Sequence, residues 1–430
     1  MVAFTSSTRR SACAVFVVLF GIFGLTAHAS SLDVASADFA AWQVATAGER
    51  TFVGDRWPGL DEHPIRHIWI VDNASGDEAI GRSSGVIAAS IPAYWLTQPD
   101  NLVHWPANLT AAGLSAVAIT LFYLLLLPRL GQKNAMVGAA VLGLTTPVWS
   151  VAADGMWPHT LTVLGIIGMA WAADRERWWL VGFFGGVALW GRLHVALICA
   201  VLGIAVALAR KSPIIAVKVG AASSAMLALS CVWTRWFYGT WDPTAGYRVG
   251  DFGDYASSNR FDVLNHLGFW LAPDRGLLVW TPIILVLAPS LIRGWRELPD
   301  WSRHLLLGGL AYLVLQGAMN RYSGGSSFFP YRLQLETLAA AAPALAFSAV
   351  RMTAVTKRMF ADVAILQGGV IAAGAVGLLV MGEVNGDRNE LLLQATTLAF
   401  LVVVSFLAWR LAQFVVRREA ALVPRTEGEG

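Results

Sequence analysis

Stretches of about twenty apolar residues recur along this chain, each long enough to cross the hydrocarbon core of a bilayer as a helix. Inside lipid a lone segment must satisfy its own backbone hydrogen bonds, so repeated runs of this length dictate a bundle of packed helices. The 430 residues are 56% hydrophobic and only 14% charged, where an average soluble domain carries roughly 25% charge. Segments near 11–28, 108–127, 135–152, 158–173, 178–190, 193–209, 213–234, 276–293, 304–319, 333–350, 361–381 and 391–413 read as spans, about twelve in all. The fifth and sixth share one apolar stretch interrupted by Gly191-Arg192-Leu193-His194, which predicts two short helices meeting at a polar turn. The fold class is therefore an all-α membrane protein.

Charge sets the expected orientation. Arg129 and Lys133, Arg175 and Arg177, Arg210 and Lys211, Arg293 to Arg303, and Arg351 to Arg358 fall in alternate connections. By the positive-inside rule these face the cytoplasm, with both termini, of a plasma (inner) membrane. Two long connections, about 30–107 and 235–275, hold most of the acidic residues and lie on the outer side. Residues 1–416 thus form one polytopic domain, and 417–430 a polar cytoplasmic tail with a disordered composition. Arg9-Arg10, the first apolar run and Ala27-His28-Ala29 also fit a secretory signal, whose cleavage would leave eleven spans. A net charge of +3 without blocks of like charge argues against a nucleic-acid partner. The three cysteines lie in apolar runs with no Cys/His spacing, so neither a disulfide framework nor a zinc site is expected.

Chemistry-bearing residues gather in the outer connections. Asp33 follows the first run and opens a helical pattern (Ala35, Phe39, Trp42, Ala45) that closes at Gly48. The pattern predicts an amphipathic helix with its apolar face on the bilayer. Asp33 at its head suits a general base, and equally suits a helix N-cap. Arg82, in a glycine-rich turn, is suited to bidentate phosphate binding or to a plain loop leading into a helix. Asp154 and His159 lie in the tight hairpin Asp154-Gly-Met-Trp-Pro-His159, as a second acidic site or as turn residues. Arg192 sits in the break between short helices, where ionisable groups at membrane depth are functional candidates. Tyr247 lies in the second long connection, which ends Ala272-Pro-Asp-Arg275-Gly-Leu-Leu-Val-Trp-Thr-Pro282. Tyr322-Ser-Gly-Gly-Ser-Ser-Phe-Phe-Pro-Tyr-Arg332 pairs a Gly-Gly turn with aromatics and arginine, a composition suited to sugar stacking and phosphate binding.

In order, these pieces resemble the GT-C superfamily of polytopic glycosyltransferases, in particular its bacterial dolichyl-phosphate-mannose-transferase-like members. The resemblance rests on Asp33 to Gly48, Trp157-Pro-His159, Arg192, the run ending at Pro282 and the stretch ending at Arg332. It implies a GT-C-like bundle that moves a sugar from a polyprenyl-phosphate donor to an envelope glycan, lipid or protein. Asp33 would be the base, with Arg275 or Arg332 on the donor phosphate. Val34 replaces the frequent second acid, which weakens metal dependence; no other cofactor is implied. The glycine before the final arginine is missing, and the sequence shows no large C-terminal periplasmic domain, leaving acceptor recognition to the outer connections. A transporter or lipid flippase also suits twelve spans, but related halves and mid-membrane charge are not visible. A non-catalytic relative is the third reading.

Overall fold

The computed structural model describes residues 6–28, 31–247, 262–325 and 327–376. The expected span at 391–413, the tail 417–430 and the end of the 361–381 span lie outside the described residues. The remaining predicted spans fall on helix. Four helices are long and apolar enough to cross a membrane by themselves: α1 (Ser6–Thr26), α4 (Trp105–Leu144), α8 (Pro213–Tyr238) and α13 (Ala354–Ala375). Their numbering also counts α2 (Leu32–Ala47), α3 (Ser84–Thr97), α5 (Pro158–Ala173), α6 (Trp178–Gly191), α7 (Ala196–Ala209), α9 (Val263–Leu271), α10 (Ile283–Gly294), α11 (Asp300–Met319) and α12 (Leu335–Ser348).

Helix length alone does not confirm twelve crossings. At 1.5 Å per residue a 14-residue helix such as α6 or α7 rises about 21 Å, short of the roughly 30 Å core. α6 and α7 still leave Trp179, Phe183, Ile204 and Leu208 exposed, whereas α5 is walled by protein. Along α5 fourteen of sixteen residues are buried, and a Cβ on Gly165 would stand 2.5 Å from the Phe184 carbonyl of α6. The second and third expected spans are two arms of α4 that turn at Gly131, whose φ of 73° is a glycine conformation. The arms fold back on each other, Gly143 facing Ile119. α1 packs along this pair through buried Leu19 and Phe23, and Tyr123 Oη donates to Ser11 Oγ at 2.9 Å.

Charged connections collect at one end of the bundle and pair across it. Arg129 meets Asp174 at 2.7 Å, Arg210 meets Asp300 at 2.6 Å and Glu176 at 2.9 Å, and Arg351 pairs with Glu297.

The opposite end carries a folded layer built from residues 31–104. Here α2 and α3 pack with a small hairpin, β1 (Ile70–Asp72) against antiparallel β2 (Glu78–Ile80), with Ile70 opposite Ile80. Phe39, Phe52, Leu60, Trp69, Ile87 and Tyr94 form its own core. The expected bilayer-facing helix is corrected by this packing: Phe39 is fully buried and Ala35 is 6% exposed, both against protein. The apolar stripe of α2 is the floor of a protein layer. A hydrophobic stripe in sequence reports burial, and cannot tell lipid from protein as the covering medium.

Candidate active site: a carboxylate held between two arginines

Local sequence frees Asp33 from the capping role. Ser31 is the N-cap of α2, its hydroxyl accepting from Asp33 N at 3.2 Å, and Gly48 closes the helix with φ 70°. Asp33 therefore stands in the first turn with its carboxylate pointing away from the helix end. Oδ1 accepts from Arg82 Nη2 at 2.7 Å and from Trp69 Nε1 at 2.9 Å. Oδ2 accepts from Arg332 Nη1 at 2.6 Å. Three segments far apart in sequence thus meet on one carboxylate, whose side chain is 28% exposed.

Each guanidinium is fixed by further contacts. Arg82 Nε donates to the Asp33 carbonyl at 3.2 Å and to Ser36 Oγ at 3.0 Å, and Nη1 to the Gly81 carbonyl at 3.0 Å. Arg332 Nε donates to the Gly324 carbonyl at 2.8 Å, and its guanidinium lies 4.9 Å from the Trp157 ring and 5.0 Å from that of Phe328. Burial of Asp33 favours its neutral form, but the Arg82 and Arg332 charges outweigh burial and hold the carboxyl well below the usual carboxylate range.

The bundle also holds an apolar cavity of about 500 Å³, lined by α4, α10 and α12 residues including Leu142, Ile284, Leu338 and Ala342. Its wall includes Thr146, Thr281 and Lys357. Thr281 Oγ1 and Tyr331 Oη are 2.6 Å apart, and Tyr331 precedes Arg332. Thr281, on the cavity wall, thus touches the residue that precedes the arginine facing Asp33.

No protein-family model matches the chain, and no curated protein matches it. Among solved structures it is similar to ArnT from Cupriavidus metallidurans bound to undecaprenyl phosphate, with a TM-score of 0.55 and 14% identity over 93% of this chain and 75% of ArnT. ArnT in the apo state gives a TM-score of 0.52 and 13% identity over 95% and 77%. The chain has the GT-C fold.

Within this GT-C fold the other expected site residues divide. His159 and Arg192 join a buried polar cluster deeper in the bundle. His159 Nδ1 lies 2.8 Å from Glu336 Oε1, which also accepts from Thr162 Oγ1 at 2.9 Å. Arg192 Nη1 reaches Tyr312 Oη at 3.4 Å, and Tyr247 Oη donates to the neighbouring Gly191 carbonyl at 3.4 Å. Asp154 is drawn elsewhere: its Oδ1 takes the His28 backbone N–H at 2.9 Å and stands 3.0 Å from His28 Nδ1. Tyr322 is a packing residue whose N–H donates to Asn265 Oδ1 at 2.8 Å while its ring covers Gly268. Arg275 does not reach Asp33, and hydrogen-bonds to loop carbonyls instead. Trp69, a direct ligand of the carboxylate, carries no sequence signal, since only the hairpin's fold turns its indole toward α2. Among the described residues no group of three or more His, Cys, Asp or Glu side chains is placed to hold a metal.

Proposed function

We propose that the protein is a membrane glycosyltransferase that transfers a sugar from a polyprenyl-phosphate donor to an extracytoplasmic acceptor. The observation that carries this reading is the meeting of Asp33, Arg82 and Arg332 on one partly exposed carboxylate, in a fold that also holds a large apolar cavity. Two fixed guanidiniums suit a phosphate bidentately, and a neighbouring apolar channel suits the isoprenoid behind it. The fold is shared with a protein captured with undecaprenyl phosphate, which supports a lipid-linked donor.

In the proposed reaction Asp33 accepts the proton of an acceptor hydroxyl as that oxygen attacks the anomeric carbon. The bond from the anomeric carbon to the phosphate oxygen breaks with inversion, and polyprenyl phosphate leaves with its new charge on Arg82 and Arg332. Asp33 paired to both arginines is a weak base. An arriving phosphate competes for the same guanidiniums, so Asp33 regains proton affinity only when donor is bound. His159, Arg192, Glu336 and Tyr247 then supply polar groups behind the phosphate for the sugar. The acceptor is a glycan, lipid or protein of the envelope, met on the outer face of the plasma membrane, with the paired basic connections inside.

The test is transfer of radiolabelled sugar from undecaprenyl-phosphate donors to envelope acceptors in proteoliposomes. Wild-type protein transfers label and Asp33→Asn does not. Full transfer by Asp33→Asn removes Asp33 from the mechanism. Movement of solute or lipid across the bilayer, with no sugar transfer, favours a transporter or flippase instead.

A further inference from the structure

The resemblance puts Arg275 or Arg332 on the donor phosphate, and the geometry separates the two. Arg275 Nη1 donates to the carbonyls of Phe328 at 3.0 Å and Pro330 at 2.8 Å, and Nη2 reaches the Gly325 carbonyl at 3.5 Å. Its guanidinium lies 4.3 Å from the Phe328 ring, the same ring that stands 5.0 Å from Arg332. Phe328 is only 4% exposed and meets Trp157 edge-on, so it cannot shift to follow either arginine.

The segment so held needs holding. Gly324, Gly325 and Ser327 take φ of 66°, 91° and 62°, and the last is an uncommon conformation for a residue with a side chain. Phe328 and Pro330, which follow this turn, are buried, and their carbonyls require donors because an unmet buried carbonyl is costly. Arg275 supplies those donors along one side of the loop. Arg332 Nε supplies another at Gly324, and that bond aims Nη1 at Asp33. The loop is thus stretched between two guanidiniums, of which only Arg332 faces the carboxylate.

We propose that Arg275 is a positioning residue: it fixes Phe328 and Pro330 so that Arg332 is presented to the anion, and makes no contact with the phosphate itself. The inference rests on Arg332 being a phosphate ligand, as proposed above. Lysine cannot replace Arg275 fully, because an ammonium lacks the planar guanidinium that lies by the Phe328 ring while donating to the loop carbonyls.

Two measurements test it. In a cysteine-free background, a nitroxide at Ser323→Cys reports loop motion with no lipid present. Arg275→Gln should mobilise the label, and Arg275→Lys should do so less; an unchanged spectrum in both overturns the proposal. Undecaprenyl phosphate binding then tests the route of action. Arg275→Gln should weaken it about tenfold alone but less than about twofold in an Arg332→Gln background, the non-additivity expected of residues acting through one contact. Equal losses in both backgrounds would mean that Arg275 meets the lipid or acts globally, and would overturn it. A mobilised label in a protein whose wild type binds no undecaprenyl phosphate sinks the donor assignment while leaving the loop role standing. If Arg275→Gln does not fold, the same comparison is read on Arg275→Lys.

Discussion

Asp33 is both the anion that two arginines hold and the base that the chemistry requires, and these roles oppose each other. Its charge is stabilised by Arg82 and Arg332, so it stands as a resident anion where a phosphate is expected to bind. Replacing it with asparagine removes that competitor. Asp33→Asn should therefore bind undecaprenyl phosphate several-fold tighter while losing about 10²-fold or more in transfer, a split between binding and turnover measured by equilibrium binding and initial rates. Weaker lipid binding by this variant would show that the carboxylate organises the arginines rather than occupying their ligand's place. A second buried acid behaves differently. Asp38 is fully buried beside His104, at 2.9 Å, and burial pushes its carboxyl up to about 6 despite that hydrogen bond. A carboxyl raised above its unfolded value of 3.8 binds more protons when folded, so it costs stability as pH rises from about 4 to 6. Asp38→Asn should flatten that part of the stability profile, read as melting temperature against pH. A wild-type profile already level there would exclude the effect.

Among the elements, α1 is joined to the bundle at its far end by a titratable contact. The hydrogen bond from His28 to Asp154 raises the imidazole to about 9, and burial opposes the shift. A histidine raised from 6.5 contributes stability that is complete below that pH and lost as pH passes 9. The side chain is 38% exposed, so solvent screening limits the contribution to about 1 kcal/mol. Melting temperature should fall slightly between about pH 7 and 9, and Asp154→Asn should abolish that fall. An equal decline in both proteins would remove the pair as its cause. The hairpin that supplies Asp154 illustrates how elements decide roles. Asp154 and His159 stand five residues apart in sequence, yet one faces the end of α1 and the other faces Glu336 on α12.

For the whole molecule, the proposed donor site combines the arginine cluster for the phosphate with the apolar cavity for the lipid tail. Filling the cavity with Ala342→Trp should weaken binding of long-chain undecaprenyl phosphate while sparing a short isoprenyl phosphate, compared by competition binding. Equal loss for both lipids would mean that the substitution damages the site rather than the tail channel. Much of this architecture was legible in the sequence. Apolar run length announces helices because a bilayer leaves the backbone no other partner. Ser31 and Gly48 bound α2 through local capping chemistry, and Asp33, Arg82 and Arg332 were each recognisable as candidates from residue type and motif. The count of about twelve crossings read from run length is not confirmed by helix length, since helices of 14 to 16 residues are shorter than the bilayer core. The folded layer over α2 was hidden because lipid and protein select the same apolar stripe. The sequence by itself determined which segments are helical and which side chains bear charge, both consequences of local backbone and side-chain chemistry. Only the tertiary structure decided that Arg332, 299 residues from Asp33, faces it while Arg275 turns to the loop. Such pairing depends on where packed helices bring distant loops together, and no local periodicity encodes that.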